Sequence, residues 1–355
     1  MFSCNKKKSI VTACAITGIA LIALAACQHT PEPPLRALYH WRTALSLSSS
    51  EQLLMDSLGI QRLYVRFFDV DWEPSVSDAV PLALMQADTQ GLSRFDITPV
   101  VFMTNQTLQK LTEKQLPLLA SRMYKKITEQ WATLHRPAPT TLQIDCDWSG
   151  STREKYFALL GHIRKAFGQQ LVELSATIRL HQIRDYKTTG LPPVDRGMLM
   201  FYNMGDVEDW SESNSIINSS KAAPYLKGAS RYPLPLDVAL PAFAWGVVFR
   251  NEVMNRLIYP INTQSLGDTS RFNKIGEQRW EVVKSTYLDG HYLYRGDLIR
   301  VEMVQAREMA AAARQLSEAM RKESRTVAIY HLDSLLFQRY PYAQLDTAYR
   351  LLAPH

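Results

Sequence analysis

The sequence is poor in cysteine, and this limits how the fold can be held together. Four cysteines occur among 355 residues, at positions 4, 14, 27 and 146. Cys4 and Cys14 lie in an N-terminal segment that we expect to be removed, and we expect Cys27 to be modified. Cys146 is then the one remaining thiol, so no intrachain disulfide can form. A hydrophobic core must therefore stabilise the fold.

Motifs for nucleotides, metals and nucleophilic serines are also missing. The chain has no GxGxxG or GxxxxGK phosphate loop, no HxxH or HExxH pair, and no GxSxG elbow. We therefore expect no cofactor and no metal site. Without Lys6, Lys7 and Lys8, 37 basic side chains face 34 acidic ones, since those three are the only charges of the N-terminal segment. This small excess does not support a nucleic-acid partner.

The N-terminus has the pattern of a signal peptide over residues 1–26. A basic stretch, Lys6 to Lys8, precedes an apolar run from Ile10 to Ala26. The run ends in Leu-Ala-Ala-Cys27, which resembles a bacterial lipobox and implies a palmitate-type lipid on Cys27 and a membrane anchor. Residues 27–35, rich in proline, would form the tether. The alternative is an uncleaved transmembrane helix, although about 17 apolar residues are few for a span.

The rest of the chain, residues 36–355, alternates short β-rich runs with helical patterns, which is typical of parallel βα units. Eight strands are predicted: Ala37–Leu45, Arg62–Asp71, Ile97–Met103, Thr141–Trp148, Leu171–Arg179, Gly197–Asn203, Val238–Val247 and Thr326–Asp333. Eight parallel strands can close into a barrel. The prediction is an α/β fold consisting of a single (β/α)8 (TIM) barrel.

Helical patterns occupy most of the intervening segments. Helices are predicted at Ser48–Leu58, Leu111–Leu134, Ser151–Phe167, Ala222–Leu226, Ala306–Arg321 and Tyr342–Leu352. Residues 251–304 break the alternation, because two β-rich stretches at 280–283 and 291–294 flank an Asp289-Gly290 turn. They predict a hairpin-containing insertion between the seventh and eighth strands.

The carboxyl ends of the predicted strands carry acidic and aromatic side chains, and active sites of such barrels are built there. The candidate catalytic residues are Asp147, Asp145 and Glu173. The candidate substrate-binding residues are Tyr39, Trp41, Asp69, Asp71, Trp148, Tyr202, Asn203, Asp206, Trp245 and His331. Aromatic faces stack on sugar rings while polar groups bind hydroxyls, so this set suits glycans.

Several of these stretches resemble glycoside hydrolase family 18, the chitinase-like barrels. Residues 142–149, LQIDCDWS, resemble the fourth-strand pattern DxxDxDxE, with Asp145 and Asp147 on its second and third acids. Met200-Phe201-Tyr202-Asn203 resembles the sixth-strand MxYD, with Asn203 in place of Asp. Leu240-Pro241-Ala242-Phe243 resembles LPxY of the seventh strand. The resemblance implies a chitinase-like barrel with its site around these residues.

The proton donor of that family is missing, since Ser149 stands where the pattern has glutamate. A serine hydroxyl cannot donate that proton near neutral pH. Hydrolysis would need another acid, and Asp147 with Glu173 is the first pair to consider. Asp145 has a structural alternative, in which it holds neighbouring strands by hydrogen bonds.

Besides a barrel enzyme of another reaction class, which the fold alone does not exclude, two functions remain open from the sequence. The first is a lipoprotein, anchored in the bacterial cell envelope with the outer membrane favoured, whose barrel binds or processes glycans. The second is a catalytically inactive barrel that serves as a protein-binding or assembly module there. The sequence identifies no protein partner.

Overall fold

The computed structural model describes residues 33–332 and 335–353, and eight of its strands form a closed parallel barrel. The barrel strands are Leu35–His40, Arg62–Glu73, Asp96–Met103, Thr141–Cys146, Glu173–Ile178, Arg196–Met200, Leu236–Pro241 and Thr326–Tyr330. The first strand closes the ring because it pairs in parallel with both the second and the eighth. The predicted (β/α)8 barrel is confirmed.

The predicted N-terminal features lie outside the described residues. These are the signal peptide, Cys27 and most of the tether, and the expected end of the eighth strand at Asp333 also falls outside. Within the part that the structure describes, no helix has the length and apolarity needed to cross a membrane.

The barrel strands form because they are apolar on both faces, as expected for a parallel sheet enclosed by helices. Val238, Ala239 and Leu240 of the seventh strand are completely buried. The interior is filled with side chains, and Tyr39 stacks on Tyr64 with ring centroids 4.9 Å apart. The Tyr39 hydroxyl donates to Gln143 Oε1 at 2.6 Å. The barrel centre is therefore a packed core rather than a pore.

Helices surround the barrel. They cover Ser49–Ser57, Asn105–Lys110, Leu116–Ala132, Arg153–Phe167, Leu180–Arg184, Tyr186–Thr189, Ser219–Leu226, Ala306–Ala319, Leu336–Arg339 and Tyr342–Leu351. The first begins at a capping box, in which Ser48 and Glu51 bond reciprocally. Helix Arg153–Phe167 begins after Thr152, which makes no side-chain cap hydrogen bond and whose Oγ1 donates to Asn105 Oδ1 at 2.6 Å.

The seventh strand is shorter than predicted, because it ends at Pro241 rather than Val247. The chain then turns, and Ala244–Arg250 starts an antiparallel sheet outside the barrel. The order of its strands is Val253–Ile258, Ala244–Arg250, Leu298–Met303, Arg279–Val282 and Phe272–Gly276. This sheet begins before Asn251, the predicted start of the insertion, and has its own apolar core.

A separate two-stranded hairpin accompanies that sheet. Thr286–Leu288 pairs with His291–Leu293 across the Asp289-Gly290 turn. Both turn residues have positive φ, 47° and 82°, which fits a tight hairpin turn. The stretch at 280–283, predicted to pair across this turn, instead contributes Arg279–Val282 to the five-stranded sheet.

Candidate functional site

The fourth barrel strand delivers two carboxylates to the mouth of the barrel. The strand ends at Cys146, so Asp145 is its second-to-last residue and Asp147 directly follows it. Asp145 is 4% exposed and accepts a hydrogen bond of 2.7 Å from Thr177 Oγ1 on the fifth strand. The Asp147 side chain is 55% exposed. The two acids therefore occupy different environments.

Asp147 is bound by a guanidinium. Arg179 directly follows the fifth strand, and its Nε and Nη2 donate to the two carboxylate oxygens of Asp147, the latter at 3.0 Å. Burial alone would lower the pKa of Arg179, but the charges of Asp147 and Asp145 raise it above its ordinary value. Such a fork-shaped pair holds both side chains in one geometry. Both oxygens of Asp147 are therefore engaged by one guanidinium.

Asp145 has a raised pKa, chiefly because burial disfavours its charged form. The charge of Asp147 adds to this effect, whereas Arg179 and the hydrogen bond from Thr177 oppose it. Asp145 thus holds its proton more strongly than an exposed aspartate, but it lies inside the barrel. Its contacts match the structural alternative considered from the sequence.

The raised pKa of Asp145 predicts a pH-dependent stability that Asp145→Asn removes. The folded state binds this proton more tightly than the unfolded state. The contribution of Asp145 to the free energy of unfolding is therefore fully present below about pH 3.9 and is lost as pH rises through the raised pKa. Asparagine cannot ionise and keeps an acceptor for Thr177. Urea unfolding across pH 4 to 8 should show the variant gaining relative stability as pH rises. A pH-independent difference would contradict this, and exposed Asp206→Asn is the control.

A second carboxylate–guanidinium pair lies on the second strand. Arg66 donates through Nε and Nη2 to both oxygens of Asp69, with the Nε contact at 2.6 Å. The Arg66 guanidinium also lies 5.6 Å from the ring centre of Trp41. Asp69 thus lies close to Trp41 through their shared contact with Arg66, and both were predicted from the sequence to bind substrate.

Asp71 lies further along the same strand and holds the helix that follows the third strand. Its Oδ1 accepts from Thr107 Oγ1 at 2.8 Å and from Thr104 Oγ1 at 3.2 Å. Burial raises its pKa, but these bonds and the N–H of Trp72 outweigh burial and lower it. This network supports the start of helix Asn105–Lys110.

Aromatic rings fill the space between the strand ends. Tyr202 stacks on Tyr330 with centroids 5.1 Å apart, and Trp41 contacts Tyr330 at 5.6 Å. Tyr39 and Tyr202 are buried, whereas Trp41 and Trp245 are partly exposed. Parts of both indole rings are therefore accessible to a ligand at this end of the barrel.

Two predicted site residues do not reach the mouth. Trp148 is 2% exposed and stacks on Tyr156 beneath helix Arg153–Phe167 at 5.0 Å, because the strand ends two residues before it and the chain turns inward. Glu173 is the first residue of the fifth strand, in register with Thr141, and so lies at the amino end of the barrel. The prediction that Glu173 works with Asp147 is wrong.

A cavity of about 320 Å³ opens beside the Asp147–Arg179 pair. It is lined by Asp147, Arg179, Leu180, His181, Tyr202, Asn203, Met204 and Tyr225. Burial lowers the pKa of His181 below its ordinary value, although the charges of Asp147 and Asp185 oppose this effect. Asn203 has a positive φ of 57°, and its N–H donates to Ile216 O at 2.8 Å, which turns the chain away from the sixth strand. The cavity therefore lies at the ends of the fourth to sixth strands.

Three further predicted residues lie around this end of the barrel. His331, directly after the eighth strand, shares a 2.6 Å hydrogen bond between Nε2 and the Tyr259 hydroxyl of the insertion. Trp245 donates from Nε1 to Glu302 at 2.9 Å. Asp206 is exposed and accepts from the N–H of Glu208 at 2.9 Å. The insertion is thus fastened to the strand ends through His331.

Ser149, at the position of the missing acid, belongs to a network of hydroxyls. Its N–H donates to Thr152 Oγ1 at 2.9 Å, and its own hydroxyl lies 2.9 Å from that of Ser151. In the described part of the chain, no three histidine, cysteine or acidic side chains are grouped to hold a metal ion.

Sequence reasoning missed three residues of the site: Arg179 as a partner of Asp147, His181 and Tyr225. Arg179 could have been predicted from the sequence, because it lies at the carboxyl end of a predicted strand, where such barrels place their site residues. His181 and Tyr225 had none, since they come from short helices after the fifth and sixth strands.

Comparison with known proteins identifies structures with a similar fold. No family model matches the chain, and no curated protein matches its sequence. Among solved structures, the spore cortex-lytic enzyme SleL of Bacillus cereus is 12% identical with a TM-score of 0.53, over 91% of this chain and 74% of that one. A chitinase of Chromobacterium violaceum is 11% identical with a TM-score of 0.52, over 89% and 98%.

A third similar structure contains an oligosaccharide. It is a variant of a class V chitinase from Nicotiana tobaccum in complex with NAG4, 10% identical with a TM-score of 0.50, over 90% of this chain and 99% of that one. At these identities the similarity concerns the fold. The chain therefore shares the (β/α)8-barrel fold of these structures.

Proposed function

We propose that this protein is a lipid-anchored envelope protein whose barrel mouth binds a glycan containing N-acetylglucosamine without cleaving it. The proposal joins the predicted lipid site at Cys27 with the fold and with the polar and aromatic mouth. The similar enzymes, a cortex-lytic enzyme and chitinases, motivate the choice of glycan.

One observation carries the proposal: Asp147 is bound on both oxygens by Arg179, and Ser149 stands at the position of the acid. Glycoside hydrolysis needs a carboxylic acid that reaches the leaving oxygen. Asp147 is ion-paired, Asp145 is 4% exposed, and Glu173 lies at the other end of the barrel. Among the described residues, the mouth thus keeps groups for binding, and none of these three acids is placed to donate a proton to the leaving oxygen.

The binding groups are a ring surface and a cavity. Trp41 presents part of its indole beside Arg66, and the 320 Å³ cavity next to Asp147 is lined by hydrogen-bonding groups and by Tyr202 and Tyr225. A sugar can stack its C–H face on such rings while its hydroxyl or amide groups bond to the charged pair.

Replacing Trp41 with alanine should weaken binding of the N-acetylglucosamine tetramer. The loss of one stacking surface corresponds to about a 5- to 10-fold rise in Kd. Isothermal calorimetry on the purified protein measures this, and Trp41→Phe should recover part of the affinity.

The control is Val172→Ala, because Val172 is 72% exposed and directly precedes the fifth strand, at the amino end of the barrel. An unchanged Kd is expected there. Wild-type protein that binds no tetramer, or a Trp41→Ala variant that is folded and binds as well as wild type, would contradict the proposed mouth.

A further inference from the structure

A second cleft, of about 600 Å³, lies between the short helices that follow the fifth and sixth strands. The charged residues of its wall are four cations and one acid: Arg184, Asp185, Lys187, Lys227 and Arg231. Four positive charges against one negative charge leave an excess of three positive charges. We call the space lined by these five residues the basic cleft. A concave surface lined mainly by one sign of charge focuses the field and attracts ions of the opposite sign.

The protein itself leaves three of these cations without a counter-charge. Lys187, Lys227 and Arg231 are exposed, and within the described residues none of them pairs with a carboxylate. Asp185 is occupied, because it accepts from Nε and Nη2 of Arg184 at 2.8 and 2.7 Å. Three charges on one concave surface are therefore available to an anion from outside.

The wall of the basic cleft is held in place by the helices around it. The N–H of Thr188 donates to Asp185 O at 2.8 Å, and Arg153 Nη1 donates to Thr188 O at 2.9 Å. Tyr186 packs edge-on against the buried Tyr232, with ring centroids 5.7 Å apart. A wall that is already ordered lowers the entropy cost of binding a ligand.

A glycine lines the cleft next to one of the free cations. Gly228 has a φ of 89°, a conformation that residues with a side chain rarely adopt. A Cβ at this position would lie 3.4 Å from Arg231 Nη2. A larger residue would therefore strain the backbone and crowd the guanidinium, whereas glycine leaves the space beside it open.

The basic cleft adjoins the cavity of the barrel mouth. Helix Leu180–Arg184 lines both, since Leu180 and His181 face the mouth cavity and Arg184 faces the basic cleft. The guanidinium of Arg184 lies 4.4 Å from the ring centre of Tyr225, which lines the mouth cavity. A glycan bound in the mouth cavity therefore lies next to the basic cleft.

The lining fits an anionic group on a polymer better than the surface of a bilayer. Surfaces that bind bilayers combine cations with apolar side chains that enter the interface. Ile183, the aliphatic residue of this lining, is only 3% exposed. Carboxylate and phosphate groups in water need the cations alone.

We propose that the basic cleft binds anionic groups, carboxylate or phosphate, carried by the glycan that occupies the mouth. This inference rests on the proposed function, because it takes the sugar part of the ligand to bind in the mouth. It assigns to Lys187, Lys227 and Arg231 the selection of an acidic glycan over a neutral one.

The test compares an anionic and a neutral polymer of the same sugar. Soluble carboxymethyl chitin carries carboxylates, whereas glycol chitin is neutral. The full chain should bind carboxymethyl chitin about 10-fold more tightly than glycol chitin at low salt. The difference should shrink at about 0.5 M NaCl, because salt screens exposed charges. Calorimetry measures both Kd values at equal sugar concentration.

The triple variant Lys187→Gln/Lys227→Gln/Arg231→Gln should bind carboxymethyl chitin about 10-fold more weakly than wild type. Its Kd for glycol chitin and for the N-acetylglucosamine tetramer should stay within about twofold of wild type. The variant Lys187→Arg/Lys227→Arg/Arg231→Lys keeps the three charges and should retain most of the preference for the anionic polymer.

The matched control removes three exposed charges elsewhere. Lys114→Gln/Lys125→Gln/Lys165→Gln changes the net charge by the same amount, on the helical segments after the third and fourth strands. Each Kd should stay within about twofold of wild type. A control that loses the anionic polymer as strongly as the cleft variant would show a net-charge effect and overturn the inference.

The remaining results separate this inference from the proposed function. If wild type binds the tetramer but a folded cleft variant keeps full affinity for carboxymethyl chitin, the basic cleft is overturned and the mouth is not. Wild type that binds neither the tetramer nor either polymer overturns both. Vesicles containing phosphatidylglycerol are a third probe. If the cleft variant loses vesicle binding while its binding of carboxymethyl chitin is unchanged, the cleft belongs to a lipid surface and the inference is also overturned.

Discussion

Replacing Glu302 with alanine is expected to lower the free energy of unfolding by about 3–5 kcal/mol, because it leaves a buried guanidinium without its counter-charge. The side chains of Glu302 and Arg300 are 0% and 1% exposed, and Arg300 Nε donates to Glu302 Oε1 at 2.7 Å. The other oxygen accepts from Ser215 N, Ser215 Oγ and Trp245 Nε1, at 2.9, 2.6 and 2.9 Å. Urea unfolding measures the loss.

Glu302 joins two parts of the molecule, which is why its removal should have so large an effect. Ser215 belongs to the loop after the sixth strand, whereas Trp245 and Arg300 belong to the insertion sheet. The same variant should therefore loosen the insertion from that loop, and amide exchange should rise around Ser215 and Trp245.

Two controls separate the ion pair from general damage. The double variant Arg300→Met/Glu302→Leu removes both charges and should recover part of the stability. Glu277→Ala, at an exposed turn of the same insertion, should change stability by less than about 0.5 kcal/mol. A Glu302→Ala loss below about 1 kcal/mol would show that Glu302 does not anchor this region.

Arg179→Ala is expected to raise the Kd for the N-acetylglucosamine tetramer by about 10- to 100-fold, which corresponds to the loss of a charged hydrogen-bonding group. Arg179 fixes Asp147, and its guanidinium lies 5.9 Å from the ring centre of Tyr202 in the wall of the cavity. Its Nη1 is buried and has no hydrogen-bond partner within the described part of the chain. Calorimetry measures the change.

Arg179→Lys gives a graded comparison, because lysine keeps the positive charge but cannot form the two-pronged bond to Asp147. An intermediate Kd is expected. Arg122→Ala removes an exposed arginine that pairs with Asp78 elsewhere and should leave binding unchanged. If folded Arg179→Ala protein binds the tetramer with wild-type affinity, the Asp147–Arg179 pair is not part of the binding site.

The sequence predicted the barrel well because its strands are defined locally. Runs such as Val238–Leu240 are apolar at every position, and this pattern requires burial on both faces. The fifth strand begins at Glu173, although the pattern suggested Leu171, and this small shift matters because it puts Glu173 at the amino end. Alternation along a strand identifies a shared face but not which end of the barrel a residue reaches.

The side-chain pairs of the site could not be predicted from the sequence, because each pair joins residues from different segments of the chain. IDCDW correctly placed Asp145 and Asp147 at the end of the fourth strand, but the partner of Asp147 comes from Arg179, 32 positions later. Trp148 belonged to the same motif, yet the strand ends at Cys146 and the indole turns under a helix. Pairing across strands and the turn after a strand are set by tertiary packing, which one sequence does not display.

The central claim is that the mouth binds its glycan and leaves it intact. The most direct test is to incubate wild-type protein with the N-acetylglucosamine tetramer, isolate the complex and determine the mass of the bound sugar. We predict one tetramer per protein, recovered at full length after prolonged incubation. Shorter products, or the absence of any bound tetramer, would contradict the account.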